Sequence, residues 1–187
     1  MKLLLLSSLF FSLLWFFLLK PRLLPEADPI DTYKGVPLYS NGKDFKKSSG
    51  RHYHWSGYYY GQKWQCVEFI KRFLFLNKNH RMPEVMGHAI DFFDPTIPSG
   101  TINRNRGMIQ YDNGGLDAPQ ADDLIIFKNP IPYGHVGIIS ETNENSLEII
   151  QQNVGTFTRQ RISLQKIEDR YFVGDPSTEA VAWLRVP

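Results

Sequence analysis

Between positions 63 and 77 the residues Val67, Ile70, Phe73, Leu74 and Asn77 fall on or beside one helical face. Lys71, Arg72 and Lys78 gather towards the end of this stretch, where a helix favours positive charge. Beyond Asp123 the pattern changes. Segments 123–127 (DLIIF), 135–140 (HVGIIS), 146–154 (SLEIIQQNV) and 180–186 (AVAWLRV) read as strands, with a hairpin loop over 142–145. A strong helix ahead of a strand meander predicts an α+β domain, with helical structure packed on an antiparallel sheet. A second, weaker helix is expected over 84–93, stopped by Asp94-Pro95. Segment 101–115 reads as irregular, closing on an Asn113-Gly114-Gly115 turn signal.

The amino terminus sets a second constraint. One lysine is followed by an apolar run from Leu3 to Leu19 and then by Lys20, Pro21 and Arg22. This reads as an export signal or membrane anchor over 1–22, and the lack of a small-residue cleavage site favours a retained anchor. Residues 23–34 read as a proline-bearing tether, and 35–187 as one globular domain, expected outside the cytoplasm on a membrane or exported. The 21 Lys and Arg against 19 Asp and Glu leave a formal net charge of +2, no excess that points to nucleic acid.

The chain has one cysteine, Cys66, so an intramolecular disulfide is excluded. What remains for the thiol is core filler, reactive group or intermolecular link. With the loop at 141–145, His135 would face Gln151 across a strand ladder and share its sheet face with Asn153; a one-residue slip would bring Gln152 there instead. An imidazole beside a side-chain amide would then meet a thiol delivered by a helix start. There the helix dipole and an adjacent His⁺ would favour the thiolate. In that arrangement Cys66 attacks a carbonyl, His135 moves the proton, and Gln151 or Asn153 orients the ring. The backbone N–H of Cys66 and the side chain of Gln65 would hold the oxyanion. Structural alternatives stand beside this: a buried small cysteine, a satisfied strand-edge histidine. Tyr53, Trp55, Tyr58, Tyr59 and Tyr60 would either line a cleft or pack a loop. His52, His54, His80 and His88 show no metal-ligand spacing, so neither a metal nor a cofactor is expected.

The stretches GQKWQCVEFIKRFLFLN (61–77), YGHVGIIS (133–140) and IIQQNVG (149–155) resemble the CHAP family of cysteine- and histidine-dependent amidohydrolases and peptidases. Within it they are most similar to the amidase domain of the bifunctional glutathionylspermidine synthetase/amidases. The resemblance runs from Gly35 to the final strand segment, and Trp64-Gln65-Cys66-Val67-Glu68-Phe69 is its most specific part. It implies a papain-like fold with the cysteine at a helix start and the histidine on the sheet, Cys66 as nucleophile and His135 as base and acid. The third catalytic position of these amidases is usually acidic and lies two residues before an Asn. Here it is Gln151, with Asn153 retained. An amide orients the imidazole without supplying a full charge. The family's arginine pair is Lys71-Arg72, which with Trp64 and Tyr60 makes the expected substrate-binding set. The resemblance implies amide cleavage through an acyl-enzyme. The expected substrate is a glutathionylspermidine-like peptide–polyamine conjugate or a peptidoglycan peptide; the alternative is a weak or inactive module that binds cell-wall peptides.

Overall fold

The computed structural model describes residues 28–128, 132–155, 157–175, 178 and 180–187. The segment expected as an anchor, 1–22, lies outside the described residues. Among the described residues no helix is long and apolar enough to cross a membrane.

Two short hairpins come first: β1 (Pro29–Tyr33) with β2 (Val36–Tyr39), and β3 (Arg51–Tyr53) with β4 (Tyr59–Gln62). Residues 29–33, expected as tether, are thus part of the fold, and Tyr33 is buried. The helix α1 (Cys66–Lys78) follows, with Cys66 as its first residue. Then come β5 (Thr101–Asn103), β6 (Met108–Asp112), β7 (Leu124–Phe127), β8 (His135–Thr142), β9 (Ser146–Ile150), β10 (Arg159–Ile167), β11 (Arg170–Val173) and β12 (Ala180–Arg185). These eight form one antiparallel sheet in the order β11-β10-β9-β8-β7-β12-β6-β5, the last strand inserting between β7 and β6. The architecture is the expected mixed α+β.

Alternation along the strands sorts the core into two layers. Leu124, Ile126, Val136, Ile138, Ile150 and Leu184 face α1 and pack with its Phe69, Ile70, Phe73 and Leu74. Burying each of those four helix side chains contributes about 1.5–3 kcal/mol, which anchors the helix and hence the position of Cys66. Ile125, Phe127, Ile139, Ile149, Ile162 and Trp183 pack on the opposite face. The helix stops at Asn79, whose left-handed backbone (φ 48°) lets its own N–H and that of His80 return to the Leu74 carbonyl. Asp122 then fixes the far end of the helix. Its carboxylate accepts from Tyr33 Oη at 2.8 Å and from Lys34 Nζ and Lys78 Nζ at 2.6 Å each.

Two expectations fail here. The segment 84–93 holds only a 3-10 turn, Ile90–Phe92, instead of a helix. Its carbonyls are satisfied from outside: Lys71 Nζ donates to Val85 O, and the Arg106 guanidinium to Glu84 O, Met86 O and Asp91 O. With those acceptors taken and Gly87 at φ 112°, helical pairing is lost. Segment 101–115 is not irregular but carries the β5–β6 hairpin, turned at Gly107 with φ 64°.

Candidate active site

The start of α1 is shaped by β4. Gly61 (φ 145°) passes so close that a Cβ there would lie 3.0 Å from the Cα of Glu68, so only glycine lets the strand cross the first helical turn. Gln65, extended at φ −80° and ψ 159°, turns the chain into the helix. Cys66 is 8% exposed, and its thiol is reached by the backbone N–H groups of Val136, Val67 and Cys66 itself. The thiol therefore meets β8 edge-on, at the main chain next to His135.

This environment corrects one expectation. Burial pushes the Cys66 thiol up to about 11, outweighing the three N–H groups that draw it down. The helix start does not make a resting thiolate here.

His135 opens β8, and its Nε2 lies 3.0 Å from Gln151 Oε1. The Gln151 amide nitrogen donates to Gln160 Oε1 at 3.3 Å, which turns the Gln151 oxygen to the ring. With an acceptor at Nε2, that nitrogen carries the proton, and Nδ1 is the one with a free lone pair. Burial takes the imidazole pKa down to about 4 against the upward pull of the Gln151 bond, so the ring is neutral at ordinary pH. Cys66 and His135 line one groove.

The ladder behind this contact is offset from the expected register. Ile138 pairs with Ile150 and Ile139 with Ile149, and a bulge at Ser140 shortens the loop to 143–145. Opposed residues near the site sum to 288, not 286, an even difference that preserves the face. Gln151 therefore packs over Gly137 and reaches His135 along the same face. That face is the one turned away from α1, so His135 reaches the groove it shares with Cys66 from the start of the strand.

The next two residues hold other parts. Gln152 accepts from Tyr39 N–H at 2.9 Å and donates to Gln65 O at 3.0 Å and Glu68 Oε2 at 2.9 Å, bracing the helix start against β2. Asn153, left-handed at φ 70°, donates to Gln65 Oε1 at 2.6 Å and Phe45 O at 2.9 Å and accepts from Asn41 Nδ2 at 3.0 Å. Asn153 is thus bound to the 41–47 loop and not to the imidazole. The Gln65 side chain is also committed: its Nε2 donates to Phe45 O and Lys47 O. Expected as an oxyanion donor, it has no N–H left for that task.

The expected substrate-binding residues do not line the groove. Trp64 is buried against Tyr39, with ring centroids 4.0 Å apart. Tyr60 is buried among His52, Tyr58 and Phe75. Arg72 donates to Glu68 Oε1 at 2.6 Å and to Pro37 O at 2.7 Å. Lys71, its pKa lowered by burial and by Arg106 to about 8, lies over the Tyr58 and Tyr59 rings behind the groove wall. Lys71 points into structure because its helix position faces β4 and the 82–89 segment, and Arg72 because its position faces β2. Of the aromatic run, Tyr59 borders the groove, Tyr58 and Tyr60 pack on Phe75, and Trp55 is exposed.

Glu68 is the residue sequence reasoning passed over. It is fully buried and bound by His52, Arg72 and Gln152. Burial alone would raise its pKa, but those partners hold it below the ordinary carboxylate range. The signal was present: a Glu four residues before an Arg on the buried side of a helix. Other groove walls, residues 85–89 and Tyr133 with Gly134, come from loops without periodicity. The cavity measures about 770 Å³. Among the described residues no cluster of His, Cys, Asp or Glu is arranged to hold a metal.

A model of the CHAP domain matches residues 55–153, a span that holds Cys66, His135 and Gln151 and ends at Asn153. The bifunctional glutathionylspermidine synthetase/amidase of Escherichia coli (strain K12) is 39% identical over 100 residues, which cover 51% of this chain and 16% of that protein. Trypanothione synthetase of Crithidia fasciculata is 31% identical over 120 residues, 63% of this chain and 18% of that protein. The matches thus span less than a fifth of either relative. With its single mixed α+β unit and a family match across more than half its length, the chain belongs to the CHAP domain family.

Proposed function

We propose that the protein is a cysteine amidase that cleaves a peptide amide through an acyl-enzyme. One observation carries the reading: the 3.0 Å bond from His135 Nε2 to Gln151 Oε1, which leaves a basic Nδ1 on a ring that shares its groove with the Cys66 thiol. The amidase named in the E. coli relative supports the bond class.

Thiol and imidazole start neutral, so deprotonation accompanies attack. His135 Nδ1 takes the thiol proton as the sulfur bonds to the carbonyl carbon. The backbone N–H of Cys66 meets the developing oxyanion. Collapse breaks the C–N bond, the amine leaves with the proton from Nδ1, and a thioester remains. Water then attacks the thioester, giving its proton to Nδ1, and the carboxylic acid departs as that proton returns to sulfur. Gln151 holds the ring throughout without changing charge.

The substrate classes in play are a glutathionylspermidine-like conjugate, which the relatives' names support, and a peptidoglycan peptide. The apolar run at 3–19 supports a domain held on the outer side of a membrane; an alkaline phosphatase fusion after Asp28 should be active in cells, and an inactive one refutes that placement. For the chemistry, intact-mass spectrometry with a peptide thioester or ester should trap an adduct on the wild type. Loss of the adduct in Cys66→Ala and His135→Ala is expected, and an adduct that persists in Cys66→Ala overturns the reading.

A further inference from the structure

Charge is distributed unevenly in the groove before Cys66. Lys43 and Lys46 are its charged walls, His88, His135, Cys66, Tyr59 and Tyr133 its other titratable side chains, and among the described residues no Asp or Glu lines it. Both lysines are exposed, but their loop is not loose. Asn41, Gln65 and Asn153 all donate to its carbonyls at Phe45 and Lys47, fixing it to the residue that precedes the nucleophile.

The neighbouring carboxylates are each engaged by a backbone N–H: Asp44 Oδ1 accepts from Lys46, Glu84 Oε1 from Met86 and Asp91 Oδ2 from His88. The rim is apolar and open: Phe45, Met86 and Tyr133 are 41%, 60% and 44% exposed. The groove therefore offers cations and apolar surface, and no counter-charge for an ammonium group.

We propose that the groove selects acidic peptides, whose carboxylate sits against Lys43 and Lys46 while apolar parts lie on Phe45, Met86 and Tyr133, and that it disfavours polyamine conjugates. The inference rests on the amidase reading and separates its two substrate classes. A polyamine would bring several ammonium groups to a wall of like charge with nothing to pair them. A carboxylate gains roughly 2- to 5-fold in affinity from each exposed lysine, the range of solvent-exposed ion pairs.

The test reads binding and turnover separately. Three fluorescein-labelled pentapeptides, identical but for one Glu, Gln or Lys, are titrated by anisotropy into full-length Cys66→Ala protein. Glutathionylspermidine serves as competitor. Affinity should fall in the order Glu, Gln, Lys, with the Glu peptide about 4- to 25-fold tighter than the Gln peptide if both lysines engage. The preference should shrink as salt shortens the screening length. Lys43→Glu/Lys46→Glu should reverse the order. An unchanged order in that variant, or glutathionylspermidine outcompeting the Glu peptide, overturns the proposal. Wild-type turnover of the same peptides is scored independently. Charge preference without turnover would fail the amidase reading alone, and turnover without charge preference would fail this proposal alone.

Discussion

Replacing Gln151 by Glu is the most informative single change at the site. The new carboxylate would occupy a 5%-exposed position, with an oxygen 3.0 Å from His135 Nε2. At an effective dielectric of about 20, attraction between carboxylate and imidazolium across ~4 Å is about 4 kcal/mol. Desolvating the carboxylate costs part of that, and the exposed Gln160 can turn its amide to donate, which leaves about 1.4–2.8 kcal/mol. At 1.36 kcal/mol per unit this lifts the His135 pKa by roughly one to two units from its depressed value of about 4. If half of the gain is felt as imidazolium forms, turnover rises roughly 3- to 10-fold. The assay is the pH profile of kcat/KM: its acid limb should move from about 4 in wild type to about 5–6 in Gln151→Glu. Stability gives a second readout. The folded His135 titrates near 4 against an ordinary 6.5, so unfolded chain binds more protons in that window. That stability is present above pH 6.5 and is lost as pH falls towards 4. The variant should narrow the window. An acid limb fixed at its wild-type position with turnover unchanged would refute the argument and assign ring orientation to another residue.

Alkylation of Cys66 by iodoacetamide should be slow at neutral pH and climb towards pH 11, following the buried thiol; a plateau below pH 7 would contradict the burial account. Glu68→Gln strips the counter-charge from buried Arg72 and should cost about 3–5 kcal/mol in urea unfolding. The same loss from Arg72→Met alone, with no recovery in the double variant, would deny the coupling. At Gly134 (φ 65°) an alanine Cβ would meet Phe127 O at 2.7 Å and Ile90 Cβ at 2.9 Å. Gly134→Ala should lower the thermal midpoint by the equivalent of about 2–4 kcal/mol and cut kcat by displacing His135; wild-type calorimetry would sink that claim. Asn153→Ala should raise KM and leave the acid limb of kcat/KM in place, since its amide holds the 41–47 loop; a moved limb would return Asn153 to the imidazole.

How far the sequence went depended on the kind of order involved. The helix start at Cys66, the strand start at His135 and the shared face of Gln151 are periodic facts, and the last survived a register error because the error was even. Asn153 escaped the same logic. One left-handed residue after β9 turns its amide to a loop 112 residues earlier in the chain, which alternation does not encode. The helix expected over 84–93 does not form, because local spacing says nothing of the distant Lys71 and Arg106 that take its carbonyls. Lys71 and Arg72 look like exposed cations in a helix end; the burial of Lys71 follows from where β4 and the 82–89 segment lie and that of Arg72 from where β2 lies, which only tertiary packing decides.

Gln151, Gln152 and Asn153 act in succession on the imidazole, on the helix start and on the loop beside Gln65. Three neighbouring peptide units thus serve as a common datum for parts that arrive from far apart in the chain. A point change at any one loosens a single tie, whereas inserting or deleting one residue there would misalign His135, the helix start at Cys66 and the groove wall together. Variation in this family member should therefore be tolerated in residue type across this stretch far better than in its length, and an engineer altering specificity has freedom in the lysine-bearing loop that is absent here.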